Sequence, residues 1–373
     1  MTINRTITNQ IRELLDHKKA IIIKGARQVG KTTLIKQLLS DKQNVLWIDG
    51  DDPQARQLWH NINKATLQLF IADYDFIVFD EAQRIENIGL TAKMILDLQF
   101  GKQVILTGSS SLNLASSLNE PLTGRKWSFE LFPFSWKEIV SSVKLFPAVQ
   151  SLESLMLFGA YPEIYLAEQH KTRRLRELAN SYLYKDVLEL GKLKKPELIV
   201  QLLQALAYQI GSEVSYNELA KMLQADNETI KKYIGLLEDS YVIFRLPPLS
   251  RNPRKEISKS RKIYFYDTGI RNALINNFNP ISNRNDIGHL WENFIIAEFK
   301  KKTAYTSEGT ILKYWRSKSG AEIDLIIENG PSISAYEIKY NPKRKAKFPT
   351  SFIEYYQPQN MKTIHQDNFF EFL

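Results

Sequence analysis

Apolar runs and helical periodicities alternate along the first 135 residues. Residues 20–24, 45–49, 76–79 and 104–107 are short β-rich runs, and the first leads into a helical pattern through Leu39. Strands alternating with helices predict a parallel sheet covered by helices on both faces. Residues 136–206 are mostly helical in pattern, with a break at Gly159-Ala160-Tyr161-Pro162. Residues 215–247 predict helix, turn, helix, strand. Ser215 with Glu218 three positions on is a capping signature, and Asp226 can cap the next helix. That helix carries Ile230, Ile234 and Leu237 on one face, and a strand-like run at 241–246 ends at Pro247-Pro248. From Lys262 onward β-like runs return around a helix at 290–301.

Composition changes this picture in two ways. The chain has 373 residues, too many for one ordinary core, so two or three domains are expected. It has no cysteine, which excludes disulfides and thiolate metal sites and fits a reducing, cytoplasmic setting. No apolar run has the length that crosses a bilayer, so no membrane partner is expected. The net charge of +9 is uneven: residues 1–140 hold 17 basic and 15 acidic groups, 141–250 hold 13 of each, and 251–373 hold 20 and 13. An excess of +7 in the last third suits either a polyanion partner such as DNA or a solubilising basic surface.

Gly25-Ala26-Arg27-Gln28-Val29-Gly30-Lys31-Thr32 matches the phosphate-binding pattern G-x-x-x-x-G-K-[ST]. Its glycines let the backbone curl with N–H groups facing phosphate oxygens, and the following helix adds its positive end. The pattern predicts an ATP and Mg²⁺ site made by Gly25, Gln28, Val29, Gly30, Lys31, Thr32 and Thr33. Lys31 is expected on the β- and γ-phosphates and the Thr32 hydroxyl on the metal. The apolar run at 76–79 ends in Asp80-Glu81. Asp80 is expected in the metal's coordination shell, with Glu81 orienting and deprotonating the attacking water. The run at 104–107 ends in Thr107-Gly108-Ser109-Ser110-Ser111, where a hydroxyl such as that of Ser109 could meet the γ-phosphate or cap a helix. Arg125 could act as an arginine finger in a neighbouring subunit of a homo-oligomeric ring, or be a surface arginine.

These residues, with Gln83, Gly124-Arg125, Leu131-Phe132-Pro133-Phe134-Ser135, Gly159-Ala160-Tyr161-Pro162-Glu163, Tyr184-Lys185-Asp186, Tyr264-Phe265-Tyr266-Asp267, Trp291-Glu292-Asn293 and Glu337-Ile338-Lys339, resemble a family of AAA+-type ATPases of bacteria and archaea. Many members carry a C-terminal domain similar to PD-(D/E)xK nucleases. The resemblance covers most of the chain. It implies an α/β fold: a P-loop AAA+ core (1–135), a helical lid (136–200), a winged helix (201–250) and a nuclease-like α/β domain (251–373).

The last segment has its own candidate chemistry. Residues 322–327 and 335–340 are strand-like and joined through Gly330-Pro331, consistent with a hairpin. Period two puts Glu337 and Lys339 on one face, where Asp324 of the adjacent strand can meet them. Two carboxylates and a lysine, with Glu292 from the preceding helix, could hold Mg²⁺ and activate water for phosphodiester cleavage. In the resemblance, Asp324, Glu337 and Lys339 are the motif residues. The same triplet also suits the wet face of an ordinary hairpin, leaving a non-cleaving binding module as the alternative. Nucleic-acid contacts are expected at Lys231 and Lys232 on the second helix of the helix-turn-helix, a module that also docks proteins. Further contacts are expected along the basic run Arg251, Arg254, Lys255, Lys259, Arg261, Lys262, and at Lys343-Arg344-Lys345.

Overall fold

Ala20–Lys24 is apolar at every position but its last and forms β1, a strand covered on both faces. The computed structural model describes residues 3–15, 19–98, 101–109, 121–182, 196–250, 261–306, 309–344 and 346–373. They fall into two compact units, one built on residues up to 132 with Asp239–Tyr241, the other on the remaining described residues from 133 onward.

The first unit is a five-stranded sheet. Its strands are β1, β2 (Val45–Asp49), β3 (Phe76–Asp80), β4 (Gln103–Gly108) and β5 (Lys126–Glu130), in the order β2-β3-β4-β1-β5. Every pairing is parallel. β1, β3 and β4 lie inside the sheet, which is why they read as continuous apolar runs. β5 is an edge strand with little burial, and its Lys-Trp-Ser-Phe-Glu sequence gives no such signal. One face packs into a core that includes Ile22, Ile48, Trp59, Ile77, Phe79, Ile88 and Leu106. The parallel α/β core expected from the alternating pattern is therefore present.

The second unit holds two further sheets. β6 (Glu213–Val214), β7 (Ile243–Leu246) and β8 (Arg261–Phe265) form an antiparallel sheet in the order β6-β8-β7. β9 (Ile311–Arg316), β10 (Glu322–Asn329) and β11 (Ser332–Ile338) form an antiparallel meander, and β12 (Asn360–Ile364) adds parallel to β11. The helix-turn-helix consists of Tyr216–Met222 and Asn227–Asp239, with Ser215 accepting from the Glu218 N–H and Asp226 from the Thr229 N–H. Ile230, Ile234 and Leu237 form its buried face.

The boundary expected at 250 falls inside this unit. β8 lies beyond it and is the middle strand of the sheet containing β7. Leu249 packs in the core of the C-terminal sheet with Trp315, Ile326 and Phe352. Two of the motifs behind the family resemblance meet here as a brace. Asp267 accepts from the Ala160 N–H at 2.7 Å, and a Cβ on Gly159 would stand 1.9 Å from Asp267 Oδ1, so only glycine fits. Tyr184-Lys185-Asp186 lies outside the described residues.

Candidate functional site

The chain leaves β1 at its C-terminal end and enters the glycine loop. Gly25 passes so close to β5 that a Cβ would meet Leu131 O at 2.0 Å. Gln28 and Gly30 both take left-handed backbone angles, φ 60° and 95°. Alternating hand of this kind makes a concave nest of N–H groups that suits an anion. Nothing lies within 4 Å of where a Gly30 Cβ would be, so the loop is open at that point. Val29 is fully buried and can offer a ligand only its backbone, whereas Gln28 and Thr33 are exposed.

Lys31 opens the Lys31–Leu38 helix and is 4% exposed. Its ammonium donates to Gly25 O and Ala26 O, each at 3.0 Å, and lies 3.8 Å from Glu81 Oε1. The Thr32 hydroxyl donates to Asp80 Oδ2 at 2.7 Å. Thr107, on β4, donates to the other Asp80 oxygen and accepts from the Glu81 N–H at 3.0 Å. Both Asp80 oxygens are thus oriented by threonines, one from the helix after the glycine loop and one from the end of β4. Glu81 stands at φ 47°, an uncommon angle for a glutamate, and turns the chain into the short Ala82–Arg84 helix. Burial pushes its carboxyl up. The Lys31 ammonium, the Gln83 amide and Arg27 outweigh that and hold it below the usual carboxylate range.

Gln83 was not foreseen as a site residue. Its amide donates to Glu81 Oε2 at 2.6 Å and to Ser109 Oγ at 3.2 Å, and its buried Oε1 has no partner among the described residues. Ser109 thus bonds Gln83 and also helps lower the Glu81 carboxyl, while Thr107 touches both acids. Ser110 and Ser111 lie outside the described residues. The nest, the paired threonines and the ionised Glu81 fit a nucleotide with its magnesium. Arg125 is elsewhere. Its carbonyl accepts from Ala20 N at the start of β1, a five-residue strand of about 16 Å, so it lies at the end of the sheet away from the loop. It is exposed and ion-paired with Asp97.

In the second unit, β10 and β11 pair as the expected hairpin. Lys339 lies between Asp324 Oδ2, at 3.0 Å, and Glu337 Oε2, at 2.7 Å, so these three residues do meet. Asp324 Oδ2 also accepts from the Ile338 N–H at 2.7 Å. Burial would push Lys339 down, but Asp324 and Glu337 outweigh it and hold the ammonium above its ordinary value. Such a lysine is a fixed positive charge and a poor base. Burial and Asp324 push Glu337 up to about 7 against the pull of Lys339.

Glu292 stands close enough to Asp324 to feel its charge, but its hydrogen bonds go to β8. It projects from the Ile287–Thr306 helix to Lys262 and Tyr264 of β8, with its Oε1 3.0 Å from the Lys262 ammonium and accepting from the Tyr264 hydroxyl at 2.6 Å. Lys262, expected in a solvent-facing basic run, is 2% exposed and also pairs with Glu322. Its identity as a core residue had no sequence signal, because its partners lie 30 and 60 positions away. Among the described residues no three His, Cys, Asp or Glu side chains are placed to share a metal ion. A cavity of about 540 Å³ opens beside the cluster, lined by His289, Glu292, Lys339, Tyr340, Asn341 and Arg344 among others. Lys231, Lys232, Lys343 and Arg344 are exposed. Arg251, Arg254, Lys255, Lys259 and Lys345 lie outside the described residues.

Comparison with known proteins follows the same division. Residues 17–140 match the model of the AAA domain, an ATPase domain class. Residues 149–280 match a domain of unknown function, DUF8612, and residues 287–368 match another, DUF4143. The chain is 27% identical over 342 residues to an uncharacterized protein of Mycobacterium tuberculosis, covering 90% of this chain and 73% of that one. It is 25% identical over 366 residues to one of Methanocaldococcus jannaschii, covering 91% and 80%. Among solved structures it is similar to the Aeropyrum pernix ORC1 protein in complex with DNA, with TM-score 0.37, 12% identity and coverage of 74% and 93%. It is also similar to a STAND protein of Pyrococcus horikoshii, with TM-score 0.32, 11% identity and coverage of 81% and 46%. No helix among the described residues is long and apolar enough to cross a membrane.

Proposed function

We propose that the protein hydrolyses ATP and uses the cycle to bind and remodel DNA, as a homo-oligomeric ring in which Arg125 serves a neighbouring nucleotide. The observation that carries this reading is the convergence of Lys31, Thr32, Asp80, Glu81 and Thr107 at the C-terminal ends of β1, β3 and β4. Lys31 would bind the β- and γ-phosphates, and Thr32 with Asp80 would hold magnesium. When bound, the metal supplies charge neutralisation for phosphoryl transfer. Glu81, kept ionised by its neighbours, accepts the proton of the attacking water, and Gln83 holds its second oxygen.

The case for DNA rests on charge: the +7 of the last 123 residues and the exposed Lys231, Lys232, Lys343 and Arg344. For the carboxylate cluster we favour a binding module without cleavage, since each of its lysines is already paired with its acids. One panel of labelled single-stranded, duplex and junction DNA tests the whole reading, with ATP and divalent metal varied independently. Wild type should bind in a salt- and ATP-dependent manner without cutting, and Lys31→Ala should lose the ATP dependence. Metal-dependent cutting that disappears in Asp324→Ala would replace the binding module with a nuclease. An absence of salt-sensitive binding in every condition would remove DNA as the partner.

A further inference from the structure

The resemblance to PD-(D/E)xK nucleases would imply a divalent metal among Glu292, Asp324 and Glu337, and the side chains around them do not fit one. Four carboxylates, Glu292, Glu322, Asp324 and Glu337, face two ammonium groups, Lys262 and Lys339. Lys339 belongs to the hairpin itself. Lys262 is brought in from a different sheet, and it is the more deeply buried of the two.

We propose that Lys262 is a built-in counter-ion that takes the place of a divalent cation in this cluster, so that the C-terminal site works without metal. Three observations carry it. One oxygen of Glu292, Oε1, is already engaged twice, by the Lys262 ammonium and the Tyr264 hydroxyl. A divalent ion on that oxygen would sit against a like charge with almost no water to screen it. Nor can Lys262 swing aside easily. β8 is the middle strand of its sheet, and Lys262 is in register with Glu213 on one side and Leu246 on the other. Its ammonium stands 5.6 Å from the Tyr314 ring, whose hydroxyl is tied to Glu213 at 2.8 Å. The same cation links Glu292 of the long helix to Glu322 of β10, so it joins two elements that a metal would otherwise join.

The proposal goes beyond the DNA reading, and its test reads metal rather than DNA or ATP. Mn²⁺ is titrated into the nucleotide-free full chain by calorimetry, with electron paramagnetic resonance counting the free ion. Wild type should show no stoichiometric site that depends on Asp324. Lys262→Met should gain one Mn²⁺ per chain and lose it again in Lys262→Met/Asp324→Asn. A wild-type site that vanishes in Asp324→Asn overturns the proposal, as does a folded Lys262→Met chain that gains nothing. If Lys262→Met does not fold, the wild-type and Asp324→Asn titrations decide alone. A wild-type site unaffected by Asp324→Asn lies elsewhere and leaves the cluster metal-free, as proposed.

Discussion

Lys31 and Lys262 are both almost fully buried ammonium groups beside carboxylates, at 4% and 2% exposure. Their partners differ. Lys31 is held by two backbone carbonyls of a glycine loop and stays 3.8 Å from Glu81, so the carboxylate remains available. Lys262 is held by carboxylates at short range, one oxygen each of Glu292 and Glu322. A lysine suspended by backbone leaves its acidic neighbour free of a short-range ammonium; a lysine suspended by acids ties them to itself. Local residue types are the same in the two units, and the anchoring decides between site and brace.

The sharpest way to break this comparison is to remove the free carboxylate. Glu81→Gln should lower ATP turnover by about 10²–10⁴-fold, the usual range for a positioned general base, while nucleotide affinity persists. Turnover within a few-fold of wild type would show that Glu81 is not the base. On the other side, Lys262→Met should destabilise the second unit by about 3–5 kcal/mol, because it strands buried carboxylates. Urea unfolding of that unit measures this, and a loss below 1 kcal/mol, read against the about 3 kcal/mol minimum, would mean the cluster relaxes without it.

A smaller effect tests the basic face of the helix-turn-helix. Lys231→Ala with Lys232→Ala should reduce the slope of log affinity against log salt by about 2 if both touch phosphate. An unchanged slope would assign that helix to another partner. The smallest is a pH effect at Glu337. Its folded value of about 7 lies above the ordinary carboxylate value, so the folded state holds this proton more tightly. The resulting stability is fully present below the ordinary value and is lost as pH rises through 7. Between about pH 3.5 and about pH 8, one unit outside the two values, the melting temperature of wild type should fall relative to Glu337→Gln. Parallel curves would remove the shift.

Much of the first unit was legible in the sequence. β1, β3 and β4 are buried on both faces and announce themselves as apolar runs, and the glycine loop carries its own spacing. β5 is mostly exposed and so carries no apolar run, whereas the other edge strand, β2, is more buried and keeps one. The meeting of Asp324, Glu337 and Lys339 was also legible, since hairpin register and period two are local rules. Lys262 was misread. Five other basic residues within twelve positions marked it as surface, and only the pairing of β8 with β6 and β7 carries it to Glu292. Gln83 lies two residues from Glu81, yet its role needs Ser109 from another strand.

In the proposed function, nucleotide state at Lys31 and Glu81 governs DNA engagement. Fluorescence anisotropy of labelled DNA with the Glu81→Gln protein, compared in saturating ATP and in ADP, tests it most directly. Clearly different affinities are expected in the two nucleotides, with the difference abolished by adding Lys31→Ala. Equal affinity in ATP and ADP, with both nucleotides verified as bound, would contradict it.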